Sequence, residues 1–108
     1  MLYKIMSRSL WAQRGASMPR APVDVSDGFV HLSSAAQVEE TAAKHFAGQT
    51  ELLLLDVDEA KLVPGTLRWE PSRGGALFPH VYGEVPVTAV VQERALPWNG
   101  EAFDFPPL

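Results

Sequence analysis

The chain has 108 residues, 46% of them hydrophobic, and contains no cysteine. This length supports a single compact domain with its own core, covering residues 1–108. The absence of cysteine excludes disulfides, thiolate nucleophiles and cysteine-based zinc sites, and it fits a cytoplasmic location. Nine Lys and Arg against thirteen Asp and Glu give a net charge of −4, so we expect no stable binding to DNA. A signal peptide and a membrane span are not expected, because no long apolar run is present.

The first 26 residues predict a strand, a short helix and a long loop. Residues 2–6 have a strand-like composition, and Ser7 or Ser9 can cap a helix that ends near Arg14, before Gly15. From 16 to 26, prolines and small polar residues interrupt any hydrophobic period, which indicates a surface loop.

The stretch DGFVHLSS at residues 27–34 combines a turn, a strand and a helix cap, and the other predicted elements are placed relative to it. Asp27-Gly28 is a turn pair, and a strand should start at Phe29. Because side chains alternate along a strand, His31 and Ser33 should share the face of Phe29, opposite two aliphatic residues. A proton-active imidazole beside a hydroxyl is an unusual face for a core strand.

A helix is predicted immediately after this stretch. Ser34 and Gln37 have the spacing of a capping box, and the helix should cover 35–47 and end at Gly48. Its exposed N–H groups and positive dipole end would lie beside His31, a corner suited to an anionic ligand.

The second half predicts mainly strands. The leucine-rich segment 51–58 indicates a central strand buried on both faces, and 58–61 a helical turn. Pro79 argues that its segment begins or edges a strand. Further strands are expected at 66–70, 78–83 and 85–94, followed by an irregular, packed or frayed tail at 97–108.

Three predicted strands place polar functional groups on one face, which indicates the lining of a cleft. Each group alone also has a structural interpretation: a strand histidine can be a satisfied core residue, and an i,i+2 charge pair can be solvated. Their grouping favours a functional role. The pairs are His31 with Ser33, Arg68 with Glu70, and His80 with Tyr82.

A metal site and a serine-hydrolase triad have weaker support in the sequence than the cleft does. The chain has no H-E-x-x-H motif, and His45 is better interpreted as a cation in the last turn of a helix. Ser33 lacks the G-x-S-x-G surroundings of a hydrolase nucleophile.

The segments DGFVHLSS (27–34), LRWEPSRGG (67–75) and FPHVYG (78–83) closely resemble the bacterial family called domain of unknown function 952, over nearly the whole chain. That family is distantly similar to the ADP-ribosyltransferase fold. Members of that fold hold NAD in a cleft between two small sheets and grip the dinucleotide with a strand histidine followed by a small hydroxyl residue. His31 and Ser33 match this pattern.

One element of that pattern has no clear match. Toxin-like and polymerase-like transferases carry a catalytic glutamate late in the chain, whereas here Glu93 lies at the end of the last predicted strand and only Glu70 and Glu84 are substitutes. RNA 2′-phosphotransferases of the same fold use Arg and His residues instead. The resemblance implies comparable anion contacts from Arg68, Arg73 and His80.

The expected fold is α+β and ADP-ribosyltransferase-like, with two short helices packed on a split, mixed or antiparallel sheet of six strands. The leading function is an enzyme acting on NAD or a phosphorylated nucleotide, as an ADP-ribosyl- or phosphotransferase, with NAD as a candidate substrate and no metal. The alternatives are a non-catalytic nucleotide- or small-ligand-binding module and a protein-interaction domain. The catalytic candidates are His31, Glu70 and His80, and the ligand-binding candidates are Ser33, Arg68, Arg73 and Tyr82.

Overall fold

The computed structural model describes the backbone of residues 1–108 and every side chain except that of Arg73. The fold is α+β, with six strands in two antiparallel three-stranded sheets. The predicted division into two sheets is therefore confirmed. The first sheet has the order β1-β3-β6, formed by Leu2–Ser7, Leu52–Val57 and Val90–Ala95. The second has the order β2-β5-β4, formed by Val30–His31, Leu77–Val81 and Leu67–Pro71.

The first sheet lies between two hydrophobic clusters. All six residues of β3 are buried, which confirms the predicted central strand. Because its side chains alternate, Leu53 and Leu55 pack on one side together with Val81 of the second sheet. Leu52 and Leu54 pack on the other side, against α3 (Val38–His45). Each buried leucine stabilises the fold by about 1.5–3 kcal/mol.

The segment expected to be a loop contains a helix. α1 is Arg8–Trp11, and α2 is Pro22–Asp27, inside the predicted 16–26 connection. Pro22 occupies the first turn, where its missing N–H costs nothing, and Asp24 Oδ2 accepts a hydrogen bond from the Ala21 N–H at 3.0 Å. Gly28, at φ 82°, ends α2. The prediction of two helices is thus wrong, since the chain forms three.

α3 begins later than predicted. Gln37 Oε1 accepts from the Ser34 N–H at 3.1 Å, so half of the capping box forms, but residues 35–37 make a turn before the helix starts at Val38. The Ser34 N–H is therefore already occupied at the corner where an anion site was expected. Nowhere in the described chain is a helix long and apolar enough for a membrane crossing.

β5 is the middle strand of its sheet, so the prediction that Pro79 marks an edge is wrong. The carbonyl of Pro79 accepts from Leu32 N–H at 3.0 Å, just beyond the two-residue β2. In an antiparallel strand the N and O of one residue point to the same side. The missing N–H of Pro79 therefore faces the end of β2, where the pairing with β5 stops after His31. β6 also starts later than expected, at Val90, after a 3-10 turn at Val87–Ala89.

Candidate functional site

The second sheet carries most of the predicted site residues on one face. His31 lies opposite His80 in the β2–β5 ladder, and His80 lies opposite Arg68 in the β5–β4 ladder. Residues paired across a ladder share a face, so these three side chains form one row across three strands. The imidazole centroids of His31 and His80 are 5.4 Å apart. Glu70 and Tyr82 lie on the same face, within reach of this row.

Phe29 occupies the centre of this face. Its ring stacks on His80 with centroids 4.1 Å apart and also contacts His31 at 4.5 Å and Tyr82 at 5.1 Å. Phe29 precedes β2, and strand-like alternation gives it the same face as His31. We call Phe29, His31, Glu70, His80 and Tyr82 the histidine cluster.

Glu70 holds two members of the cluster with one oxygen. His80 Nδ1 and the Tyr82 hydroxyl both lie 2.7 Å from Glu70 Oε1. The hydrogen bonds from His80 and then Tyr82 lower the pKa of Glu70, and the bond to Glu70 raises the pKa of Tyr82. When a carboxylate accepts a hydrogen bond from Nδ1–H, a neutral imidazole carries its proton on Nδ1. Its Nε2 is then a hydrogen-bond acceptor.

The second nitrogen of His80 stays open. The His80 side chain is only 6% exposed. Among the described side chains, every fully buried nitrogen or oxygen except Arg94 Nε has a hydrogen-bonding partner. His80 Nε2 has no hydrogen bond to a described group. It is therefore not fully buried and touches solvent. A nearly buried imidazole with one open nitrogen can take or give a proton.

His31 belongs to a second set of contacts, which is buried and ionic. Lys4 Nζ donates to both oxygens of Asp24, at 3.0 and 2.9 Å, and to the His31 carbonyl at 3.0 Å. Asp24 Oδ1 also accepts from the His31 N–H at 3.0 Å and lies 2.8 Å from His31 Nδ1. Asp27 Oδ2 lies 2.9 Å from His31 Nε2. We call Lys4, Asp24, Asp27 and His31 the ion network.

Burial and charge act against each other in this network. Burial alone would raise the pKa of Asp24, but the hydrogen bond from His31 and the Lys4 ammonium outweigh it and lower the pKa to about 2. Burial lowers the pKa of Lys4, and Asp24 opposes this change. Asp24 stays ionised over a wide pH range. Both nitrogens of His31 can donate to their carboxylates only when the ring is protonated.

The remaining binding candidates differ in their surroundings. The Arg68 guanidinium lies 5.0 Å from the Tyr82 ring centroid, on an exposed residue, and forms no ion pair with a described carboxylate. Ser33 is buried, its hydroxyl lies 3.2 Å from Thr41 Oγ1, and its backbone pairs with Tyr3. The side chain of Arg73 lies outside the described part of the structure.

The late glutamates are not part of the cluster. Glu93 lies on β6 of the first sheet and accepts a hydrogen bond from Trp11 Nε1 at 2.8 Å. Glu84 is exposed. Within the described residues, no group of three or more His, Asp and Glu side chains is arranged to hold a metal ion.

Sequence reasoning missed Lys4, Asp24, Asp27 and Phe29 as members of the site. A lysine inside an apolar strand predicts a buried charge that requires a partner. Proline followed two residues later by aspartate is typical of a helix start, which would have identified α2. No local signal says that Lys4 and Asp24 meet.

Comparisons with known proteins give a family but no activity. The crystal structure of protein CC0527 from Caulobacter crescentus is 43% identical, covers 94% of this chain and 90% of its own, and superimposes with a TM-score of 0.85. The solution NMR structure of the same protein is 44% identical over 94% of this chain and 89% of its own, with a TM-score of 0.78. No curated protein matches the chain. Residues 5–93 match the family model described as protein of unknown function DUF952, and the chain therefore belongs to that family.

Proposed function

We propose that this protein is a cytoplasmic enzyme acting on NAD or another phosphorylated nucleotide, as an ADP-ribosyl- or phosphotransferase. The single observation that carries the proposal is the Glu70–His80 pair, in which a carboxylate 2.7 Å from Nδ1 orients a nearly buried imidazole and leaves Nε2 open. This arrangement is typical of a general acid–base group.

His80 would supply the proton transfer. In the reaction with NAD, an acceptor oxygen bonds to the ribose carbon while the bond from that carbon to the nicotinamide nitrogen breaks. Nicotinamide leaves as a neutral molecule with the bonding electron pair, and the acceptor proton passes to His80 Nε2. Ionised Glu70 then stabilises the imidazolium, because the hydrogen bonds from His80 and Tyr82 keep its pKa low.

The surroundings supply groups for a nucleotide. Arg68 carries an exposed guanidinium over the Tyr82 ring that suits a phosphate, and Arg73 adds a second by sequence. Phe29 and Tyr82 offer aromatic surface next to His31. His31 would hold the ribose through Nε2, and binding there would require the exposed Asp27 carboxylate to leave this nitrogen. Ser33 remains a predicted ribose contact, and binding there would require its hydroxyl to leave Thr41. The resemblance to ADP-ribosyltransferases supports this assignment of roles.

Ligand-induced stabilisation tests binding directly. We expect NAD, ADP-ribose or a nucleoside phosphate to raise the melting temperature, since ligand at about 100 times Kd adds roughly 2.7 kcal/mol to the free energy of unfolding. The shift should shrink in the Arg68→Ala variant. A broad nucleotide panel at millimolar concentration that produces no shift would favour a protein-interaction domain.

Turnover of the identified nucleotide tests catalysis. His80→Ala should abolish product formation, followed by chromatography, whereas the control His45→Ala, on α3, should retain it. A wild-type protein that binds the nucleotide and leaves it unchanged over hours with acceptors present would refute the enzyme proposal.

A non-catalytic binding module is the second candidate. The position of Glu93 favours this candidate. Glu93 lies in the first sheet and accepts a hydrogen bond from Trp11, so the histidine cluster lacks the late-strand glutamate of toxin-like transferases. His31→Ala distinguishes the roles: loss of a ribose contact should weaken binding by about 1–3 kcal/mol while turnover at saturation, if any, survives.

A further inference from the structure

A cavity of about 220 Å³ lies between α3 and the C-terminal segment 97–108. It adjoins the cluster that packs α3 on the first sheet, whereas the second sheet packs on the opposite face. It shares no residue with the histidine cluster or the ion network. The cavity is lined by Trp98, Phe103, Phe105, Glu39, Glu101 and three alanines.

The C-terminal segment is irregular and packed, as its sequence predicts, and residues 97–104 within it form a hydrogen-bonded reversal. Asn99 Oδ1 accepts from the N–H groups of Glu101 and Ala102, at 2.9 and 3.0 Å, which closes the turn. A β-bridge then pairs Trp98 with Phe103, whose rings meet edge to face with centroids 5.0 Å apart. The turn thereby fixes two aromatic walls of the cavity.

The α3 wall leaves space, and each of the two walls contributes one carboxylate. Ala43 and Ala47 line the cavity from α3 and its C-terminal end, where larger side chains would fill it. Glu39 and Glu101 form no ion pair or side-chain hydrogen bond with a described residue, although the neighbouring Glu40 pairs with Lys44 at 2.7 Å. None of the lining residues is basic.

The aromatic rings and the two carboxylates together favour a positively charged occupant. Two carboxylates without cationic partners repel an anion and attract a cation. Aromatic faces also attract cations, and quaternary ammonium groups are recognised by such surroundings. A volume below the roughly 300–1,000 Å³ of sites for drug-sized ligands restricts the occupant to a small molecule.

We propose that this cavity binds a small organic ammonium ion, with its alkyl groups against Trp98, Phe103 and Phe105 and its charge balanced by Glu39 and Glu101. The site is independent of the proposed nucleotide chemistry. It predicts a preference for a cation over an uncharged molecule of the same shape.

A titration of the isotope-labelled full chain with choline and with dimethylbutanol, its uncharged carbon isostere, tests the proposal. Choline should shift the indole N–H signal of Trp98 saturably, while Trp11 and Trp69 act as internal controls. The isostere should bind roughly fivefold more weakly or not at all. Equal affinity for the two molecules, or no saturable shift at tens of millimolar choline, would overturn the proposal.

Variants test whether the two carboxylates contribute to binding. Glu39→Gln combined with Glu101→Gln should weaken choline binding by roughly five- to tenfold, and both positions are exposed, so the fold should be retained. Glu40→Gln, on the same helix but paired with Lys44, is the matched control and should bind normally. An unchanged affinity in the double variant would show that the carboxylates do not select the ligand.

Discussion

The ion network and the histidine cluster share His31 but differ in how fully their polar atoms are occupied. Each oxygen of Asp24 has at least two hydrogen-bonding partners, and the side chain is completely buried. His80, by contrast, has one carboxylate partner and one open nitrogen. Buried charges whose hydrogen bonds are all made stabilise one conformation, whereas a nitrogen without a partner on a rigid ring can still exchange a proton with a ligand. We therefore infer that the network supports β2, and we propose the cluster as the reactive part.

The largest expected effect comes from breaking the network. Asp24→Ala should lower the free energy of unfolding by about 3–5 kcal/mol, because it leaves the Lys4 ammonium buried without its counter-ion. The matched control is Asp27→Ala, whose carboxylate is 45% exposed and should cost less than about 1 kcal/mol. Urea unfolding measures both.

A second substitution shows whether unpaired charge is the cause. Lys4→Met in the Asp24→Ala background should recover part of the lost stability, since an apolar replacement of a buried pair is often tolerated. If the double variant is less stable than Asp24→Ala alone, the charge explanation is incorrect.

Next in size is the effect of removing the carboxylate that orients His80. Glu70→Gln should reduce the maximal rate on the identified nucleotide roughly a hundredfold and leave its affinity nearly unchanged, because the amide no longer stabilises the imidazolium. Steady-state kinetics separate the two quantities. A rise in KM with an unaltered maximal rate would instead make Glu70 a binding residue.

The regions also differ in how far local sequence predicted them. Alternation along each strand separated His31, His80 and Glu70 from their aliphatic neighbours, because side chains of successive strand residues point to opposite faces. The pairing of β2, β5 and β4, which alternation does not predict, brings the three onto one face. The leucines of β3 were similarly predictable, since a continuous apolar run of that length requires cover on both faces.

The network was not predictable, because its key contact joins residues distant in sequence. Lys4 and Asp24 are 20 positions apart, and Asp24 lies on a six-residue helix within a proline-containing segment. Such a short helix has almost no intrinsic stability and forms through tertiary contacts. The stacking of Phe29 on His80 likewise depends on the β2–β5 register, which a two-residue strand does not reveal.

Acid titration should produce an effect of about 2 kcal/mol. The pKa of Asp24 is about 2 in the folded chain and ordinarily 3.8, so this carboxylate stabilises the fold fully above pH 3.8. The contribution is lost as the pH falls through about 2, and the difference amounts to about 2 kcal/mol. Urea unfolding across this window should show the decline.

Other carboxylates also titrate there, so Asp24→Asn supplies the control. Its unfolding free energy should fall less steeply than that of the wild type between pH 3.8 and 2. Equal slopes would assign the acid sensitivity to other groups, including Glu70, whose pKa is also lowered.

The smallest effect should come from Tyr82→Phe, which removes one of the two donors to Glu70 Oε1 and keeps the ring beneath Arg68. Because the hydrogen bond from His80 contributes more than that from Tyr82 to lowering the pKa of Glu70, the pKa should rise only part of the way to its ordinary value of 4.5. Carboxyl NMR titration of Glu70 measures this change, and Glu40, which pairs with Lys44 elsewhere, is the internal reference. The maximal rate should fall less than in Glu70→Gln, since the carboxylate still accepts from His80. A loss of rate as large as that of Glu70→Gln would make the Tyr82 hydroxyl a proton donor in its own right and move the reactive centre from His80 towards Tyr82.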